Sequence, residues 1–379
     1  MTPAEVHEYF RKREGEIIKS IREIVDQESP SHDVERSAAV ILIIEGEANS
    51  IGLDLRVEKI EAEGCGQHVL IKAFPSAKKH FFLLGHTDTV HPVGTNAENP
   101  TRIEGDKFFG CGIFDMKANI VLMLEALRFF SQTGIRPTRP ISILLSCDEE
   151  VGSFSGRPLV EREAANAEAC FVFEPSLDGM VKTGRKGTGM FALRAHGIPA
   201  HAGLEPEKGA SAILEISRQI ERLHSFNDSS KGTTVNVCTI NGGTTTNVIP
   251  EHAEASVDVR FSSMAEAARI ESEIRGLTAF DDRVTLEILG GINRPPMERT
   301  AEVVKLYEQT RDLAASFDYD LGETQVGGAS DGNFVGALGV PVLDGLGIAG
   351  AGAHTLNEHI LVSDIVSRAT LVTLLLSTV

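Results

Sequence analysis

The sequence predicts an α/β protein: a mainly parallel sheet sandwiched by helices, carrying an inserted βαββαβ unit of the ferredoxin-like split type. Three observations predict it. Short apolar runs alternate with helical stretches through the first 175 residues and again after Arg294. Between them the order changes to strand, helix, strand, strand, helix, strand. The length of 379 residues leaves room for two cores. The expected division is a discontinuous larger domain, 1–186 and 294–379, and an inserted domain, 187–293.

Taken in order, Val6, Phe10, Ile17 and Ile21 recur near helical spacing, and Ser31-His32-Asp33 opens a second helix running through Ala38 to Ile44. Short strands follow around Leu55–Val57, Val69–Ala73 and Phe81–Leu84. A helix is expected from about Met116 to Phe130, stopped by Gly134 and Pro137. Ile141–Cys147 and Cys170–Phe173 read as buried strands. In the inserted unit, Met190–Ala195 reads as a strand. Lys208–His224 reads as a helix with Ile213, Ile216, Ile220 and Leu223 inward. Val235–Ile240 and Ala253–Phe261 are strands, Met264–Leu277 a helix and Val284–Leu289 a strand. Alternation turns Ala253, Ala255, Val257, Val259 and Phe261 toward the helices, which puts Glu254, Asp258 and Arg260 on the bare face. The α/β pattern resumes with helix Ala301–Ala314, a strand near Thr324–Val326, a helix after Ser330, strand Val340–Leu343 and a last helix Val362–Leu376.

Composition narrows the partners. A formal charge of −18 repels nucleic acid and anionic membranes, and suits a small substrate or metal cations. No apolar run reaches membrane-spanning length, and no basic segment followed by an apolar run opens the chain. The five cysteines, odd in number and without Cys-x-x-Cys spacing, read as reduced thiols of a cytoplasmic protein.

Five segments bring acid or imidazole groups to strand ends and tight turns. Phe81-Phe82-Leu83-Leu84-Gly85-His86-Thr87-Asp88 ends a buried strand in a histidine and an aspartate two apart, so both side chains leave an extended chain on the same side. A metal-ligating imidazole needs its second nitrogen held, and His-x-Asp offers that locally. Gly112-Ile113-Phe114-Asp115 puts an aspartate before a helix, where it could also be a cap. Asp148-Glu149-Glu150 and Glu174-Pro175 follow strands and could be solvated turns. His354 lies in the small-residue loop Gly350-Ala351-Gly352-Ala353-His354. Imidazoles and carboxylates without thiolates suit zinc, with cobalt or manganese as substitutes. Two neighbouring ions need a shared ligand that only a carboxylate provides. Adjacent glutamates can divide the work, one binding metal and one acting as base. There is no His-Glu-x-x-His helix.

These segments, His86-Thr87-Asp88, Gly112-x-x-Asp115-Met116-Lys117, Asp148-Glu149-Glu150, Glu174-Pro175 and Gly352-Ala353-His354-Thr355, resemble those of the two-zinc metallopeptidases. That family includes bacterial glutamate carboxypeptidase, aminoacylase, acetylornithine deacetylase and succinyl-diaminopimelate desuccinylase. The resemblance covers nearly the whole chain. It implies His86, Asp115 and Glu174 on one zinc, and Asp115, Glu150 and His354 on the other. Asp115 would then be shared, Glu149 would be general base and acid, and Asp88 would orient His86. It also implies that the inserted domain is a lid and homodimerisation module. His201, in Pro199-Ala200-His201-Ala202-Gly203, would steady the developing oxyanion. Asn247 and Arg260 would bind the substrate carboxylate, with Gly328 and Ser330 in a further turn, Gly327-Gly328-Ala329-Ser330-Asp331, that either contacts substrate or merely caps a helix. The plainer reading of Arg260 is a pair with Glu254 or Asp258 on its own sheet.

Glu174, and the run from Gly345 to Glu358, are most similar to the glutamate carboxypeptidase branch; Ala118 departs from a position where glycine often follows the lysine. The expected activity is therefore hydrolysis of an amide beside a free carboxylate, releasing a C-terminal glutamate-like residue from an N-acyl or peptidyl conjugate. The alternatives are N-acyl-amino-acid deacylation and a catalytically silent metal- or peptide-binding relative.

Overall fold

A computed structural model describes all 379 residues, Met1–Val379. The chain divides into two compact units: Met1–Gly184 with Arg299–Val326 and Ser330–Val379, and Arg185–Glu298 with Gly327–Ala329.

The first unit is built on a six-stranded sheet in the order Arg56–Ala62, Gly66–Ala73, Ile141–Ser146, His80–His86, Ala167–Val172, Val342–Leu343. The last four strands run parallel, while the first two join antiparallel at one edge. Phe81, Phe82, Leu83 and Leu84 are fully buried, as a central strand covered on both faces requires. Each such side chain contributes roughly 1.5–3 kcal/mol of burial.

Helix Pro3–Asp26 starts at a reciprocal cap between Thr2 and Glu5, with Pro3 in its first turn. It buries Val6, Phe10, Ile17 and Ile21, as their spacing predicts. The second helix, Val34–Ser50, is capped by Asp33, whose side chain accepts from Arg36 N. Ser31 therefore stays outside the helix, free for another use. Helices Ala118–Thr133, Arg157–Ala164, Ala301–Ala315 and Val362–Thr378 complete the covering layers. A small four-stranded sheet, Gly350–Ala351, His359–Leu361, Lys107–Phe109 and Arg102–Glu104, has no counterpart in the sequence reading. Its strands are two or three residues long, too short to show a period.

The second unit has an antiparallel sheet in the order Thr234–Gly242, His252–Phe261, Gly187–His196, Thr285–Arg294. Two helices, Ala212–His224 and Met264–Arg275, supply its other layer. The alternation in His252–Phe261 is as expected, with Ala253, Ala255, Val257, Val259 and Phe261 buried. The preceding helix is shorter than predicted, because Ser211 caps it by accepting from Leu214 N. Its buried stripe is Ala212, Glu215, Ile216, Gln219 and Leu223, which leaves Ile213 39% exposed rather than inward. No helix of the chain is long and apolar enough to cross a membrane. All five cysteines are free, four of them buried and Cys238 exposed.

Candidate metal centre

Strands Ile141–Ser146, His80–His86 and Ala167–Val172 are parallel, so the segments that follow them emerge on one edge of the sheet. That edge receives His86 and Asp88, the turn Glu149–Val151, and Glu174. Asp115 arrives from the Gly112 turn, where φ of +71° suits glycine. Asp115 is no helix cap. Helix Ala118–Thr133 begins three residues later without a side-chain cap, and the Asp115–Met116 peptide is cis.

Asp115 divides its carboxylate between the two imidazoles: Oδ1 lies 3.1 Å from His86 Nε2 and Oδ2 lies 3.3 Å from His354 Nε2. Glu174 Oε1 stands 3.6 Å from His86 Nε2, and Glu150 Oε2 stands 3.3 Å from His354 Nε2. Glu149 also presents an oxygen beside His86 and Glu174, all three donor atoms lying within 4.8 Å of one another.

The donor set fits metal. Two donors about 2.0–2.1 Å from one tetrahedral ion stand roughly 3.3–3.4 Å apart, close to the 3.1–3.6 Å between each imidazole nitrogen and the carboxylates it faces. Glu150 Oε1 is buried and has no hydrogen-bond partner. Only nitrogen and carboxylate oxygen donors converge, as on zinc or manganese. His86, Asp115 and Glu150 form a second group whose donor atoms lie within 4.8 Å of one another, so either group could hold a metal ion.

The electrostatics point the same way. Burial disfavours a charged His86, but the Asp115 and Asp88 carboxylates outweigh it and hold the imidazole's pKa well above its usual value. Asp115 and Glu150 raise His354 to about 10. Burial opposes ionisation of Asp115, yet the two imidazoles keep it well below the carboxylate range. Excess carboxylate here draws positive charge into the cluster.

Asp88 acts on its neighbours in two ways. His86 Nδ1 lies 2.9 Å from the Asp88 main-chain oxygen and 3.4 Å from its Oδ1, so the main-chain oxygen is the nearer acceptor and Nε2 is left facing Asp115. The carboxylate mainly holds the acidic turn, accepting Glu149 N at 3.2 Å and Glu150 N at 3.1 Å. Ser31 Oγ adds a third donor at 2.7 Å. Asp148, the first acid of its cluster, faces away and accepts from Ser155 and Gly156.

Sequence reasoning missed Ser31, whose partner is 57 positions away and leaves no local signal. It also missed Asn119, which donates to Phe173 O and accepts from Ile348 N, joining the segments around Asp115, Glu174 and His354. An asparagine in an apolar helix is a signal that could have found it.

In the second unit, His201 is exposed. Its Nδ1 accepts from Gly203 N and Leu204 N, each at 3.2 Å, and its backbone bridges to Val248. Asn247 is on that same paired loop, its carbonyl accepting from Ala202 N. Arg260 is doubly bonded to Asp258, at 2.8 and 2.9 Å, while Glu254 pairs with Arg194. Gly328 O accepts from Arg185 Nη1 at 3.1 Å. Ser330, in the first unit, is fully buried and its hydroxyl donates to Asp344 at 2.6 Å. The neighbouring Asp331 accepts from Ser146 and Ser153 and caps no helix.

Imidazoles and carboxylates gathered at the carboxyl ends of parallel strands form the donor set of a metallohydrolase. The chain belongs to Peptidase family M20/M25/M40, whose profile matches residues 82–378. It is 29% identical to carboxypeptidase G2 of a Pseudomonas species over 344 residues, covering 89% of this chain and 83% of that one. It is 30% identical to succinyl-diaminopimelate desuccinylase of Verminephrobacter eiseniae over 316 residues, 77% of each chain. The aminopeptidase PepT of Bacillus cereus has the same fold, with a TM-score of 0.76, 21% identity and coverage of 96% and 98%. So has an M20 family metallo-carboxypeptidase of Sulfolobus solfataricus, with a TM-score of 0.75, 16% identity and the same coverage. The chain is therefore a hydrolase of a metallopeptidase family whose members include peptidases and amidohydrolases.

Proposed function

We propose that this protein is a two-zinc exo-carboxypeptidase that removes a C-terminal glutamate-like residue from an N-acyl or peptidyl conjugate. The observation that carries the reading is Asp115, one carboxylate facing an imidazole with each oxygen. Likeness to carboxypeptidase G2 over most of both chains supports the choice of bond.

Bound zinc would polarise the amide carbonyl and lower the pKa of the attacking water. Glu149 takes the proton of the attacking water and returns it to the leaving nitrogen. Asp88 holds the Glu149–Glu150 turn and the His86 ring in register for this. His201 donates to the developing oxyanion, and Arg260 and Asn247 take the substrate carboxylate, with Gly328 and Ser330 shaping the turn beside it. Arg260 must give up part of its pairing with Asp258 for that.

The second unit serves as lid and homodimer contact. In support, Thr234–Gly242 lies at the edge of its sheet with most of its residues exposed, and edge strands favour pairing with another copy. Five free cysteines support a cytoplasmic location.

Similarity to desuccinylases favours a second reading, N-acyl-amino-acid deacylation. A hydrolysis panel of folyl- and peptidyl-glutamates against N-acetyl and N-succinyl amino acids, run with metal analysis, separates the two. Faster turnover of N-succinyl substrates would overturn the first reading. A chain that binds zinc and hydrolyses none of them would be the silent relative.

A further inference from the structure

Glu358 is fully buried, four residues past His354 at the end of its loop, and the reaction described above makes no use of it. Its carboxylate accepts four hydrogen bonds. Oε1 accepts from Phe114 N and Asp115 N, both at 2.9 Å, and Oε2 accepts from Gly112 N and His91 Nε2, both at 2.8 Å. Three backbone donors of one turn, Gly112, Phe114 and Asp115, thus converge on one anion, a concave arrangement that suits negative charge. The turn they form is the one that delivers Asp115.

The other end of the connection is the His354 loop. Strand Gly350–Ala351 pairs with His359–Leu361, and that strand pairs with Lys107–Phe109, immediately before the Asp115 turn. Glu358 adds a main-chain bond, Gly110 N to Glu358 O. His354 itself sits at φ of +63°, a conformation that a non-glycine residue keeps only where its surroundings enforce it. Within the loop, Thr355 N bonds to Gly352 O and Glu358 N to Thr355 O. The residue that closes the loop is also the one whose carboxylate gathers the Asp115 turn.

We infer that Glu358 is a positioning residue for the metal centre, joining the turn of the shared ligand Asp115 to the loop of His354, with His91 as its side-chain partner. The inference rests on the two-ion reading above. Glutamine at position 358 would keep an oxygen for Phe114 and Asp115, but would turn an amide N–H₂ toward two donors, Gly112 N–H and the His91 ring. Asp115 and His354 would then lose their common anchor.

The test measures zinc affinity of the full-length apo-protein by chelator competition, at a temperature where circular dichroism shows each variant folded. Loss of a partner that orients metal ligands typically costs 10–100-fold in affinity. Glu358→Gln is expected to bind zinc weaker by a factor in that range. His91→Gln, which can still present an N–H to Glu358, should stay within about threefold of wild type. A cobalt-substituted Glu358→Gln protein should also show an altered visible spectrum, which a loss of general stability would not produce. If Glu358→Gln is folded and binds zinc as wild type does, or loses only melting temperature, the inference is overturned. Should Glu358→Gln fail to fold, His91→Leu replaces it: weaker zinc binding supports the inference, and unchanged binding overturns it. Wild-type protein that binds fewer than two ions would instead overturn the two-ion reading, so the two failures are distinguishable.

Discussion

Ser31 donates its hydroxyl to Asp88 Oδ2 at 2.7 Å, and both residues are buried. The same carboxylate accepts the amides of Glu149 and Glu150, so a serine that precedes the second helix supports the acidic turn of the centre. Ser31→Ala removes a buried hydrogen bond to a charged group. The expected loss of stability is about 1.5–3 kcal/mol, measured by urea unfolding. kcat should fall roughly tenfold with it. Unchanged stability together with unchanged kcat would refute this linkage.

Glu149 stands beside His86 and Glu174 and is proposed to carry the proton. Glu149→Gln keeps the shape and removes the base. Metal content should stay at the wild-type value while kcat drops by about 10²–10⁴. Elemental analysis alongside steady-state kinetics gives both numbers, and full activity in this variant would remove Glu149 from the mechanism.

Asp115 and Glu174 differ in the number of imidazoles they face. Asp115→Ala is expected to lose both ions and all hydrolysis, whereas Glu174→Ala should lose one ion only. Metal-to-protein ratios after dialysis distinguish them. Equal losses in the two variants would contradict a shared role for Asp115.

Gly347 passes so close to its neighbours that a Cβ there would lie 2.3 Å from Asn119 Nδ2 and 2.7 Å from Glu174 O. Gly347→Ala must therefore push Asn119 or the Glu174 segment aside. A destabilisation of about 1–3 kcal/mol is expected. kcat/KM should fall with it, because Glu174 moves. An alanine variant with wild-type melting and kinetics would show that the segment yields freely.

Glu266 offers a pH test away from the metal ligands. Arg269 pairs with it at 2.6 Å and Thr233 donates at 2.7 Å, which lowers its pKa from an ordinary 4.5 to about 2. A carboxyl group depressed on folding adds stability above its unfolded pKa, and that stability is lost as pH falls from about 4.5 toward 2. Urea unfolding followed between pH 6 and pH 2.5 should show wild type losing its advantage over Glu266→Gln as acid is added. A difference that stays constant with pH would mean that Glu266 keeps the same pKa in both states.

Local chemistry made much of the molecule legible. Phe81–Leu84 is apolar on both faces because the strand is covered on both faces, and Ala253–Phe261 alternates because one face is bare. The acids and imidazoles at strand ends are equally visible, since a parallel sheet puts those ends on one edge. Boundaries were less legible. The helix of the second unit starts at Ala212 because Ser211 caps it, and the spacing of Ile213 and Ile216 carries no trace of that.

By itself, then, the sequence determined which residues could serve, His86, Asp115, Glu150, Glu174 and His354, and the sheet edge that collects most of them. Only the tertiary structure decided how they meet. The two oxygens of Asp115 facing two imidazoles, the three amide and hydroxyl donors on Asp88, and the four donors on Glu358 all depend on partners distant in the chain. Periodicity reports what a residue's own segment does. A hydrogen bond between loops is a contact between segments, and it takes shape only when the packed strands bring their ends together.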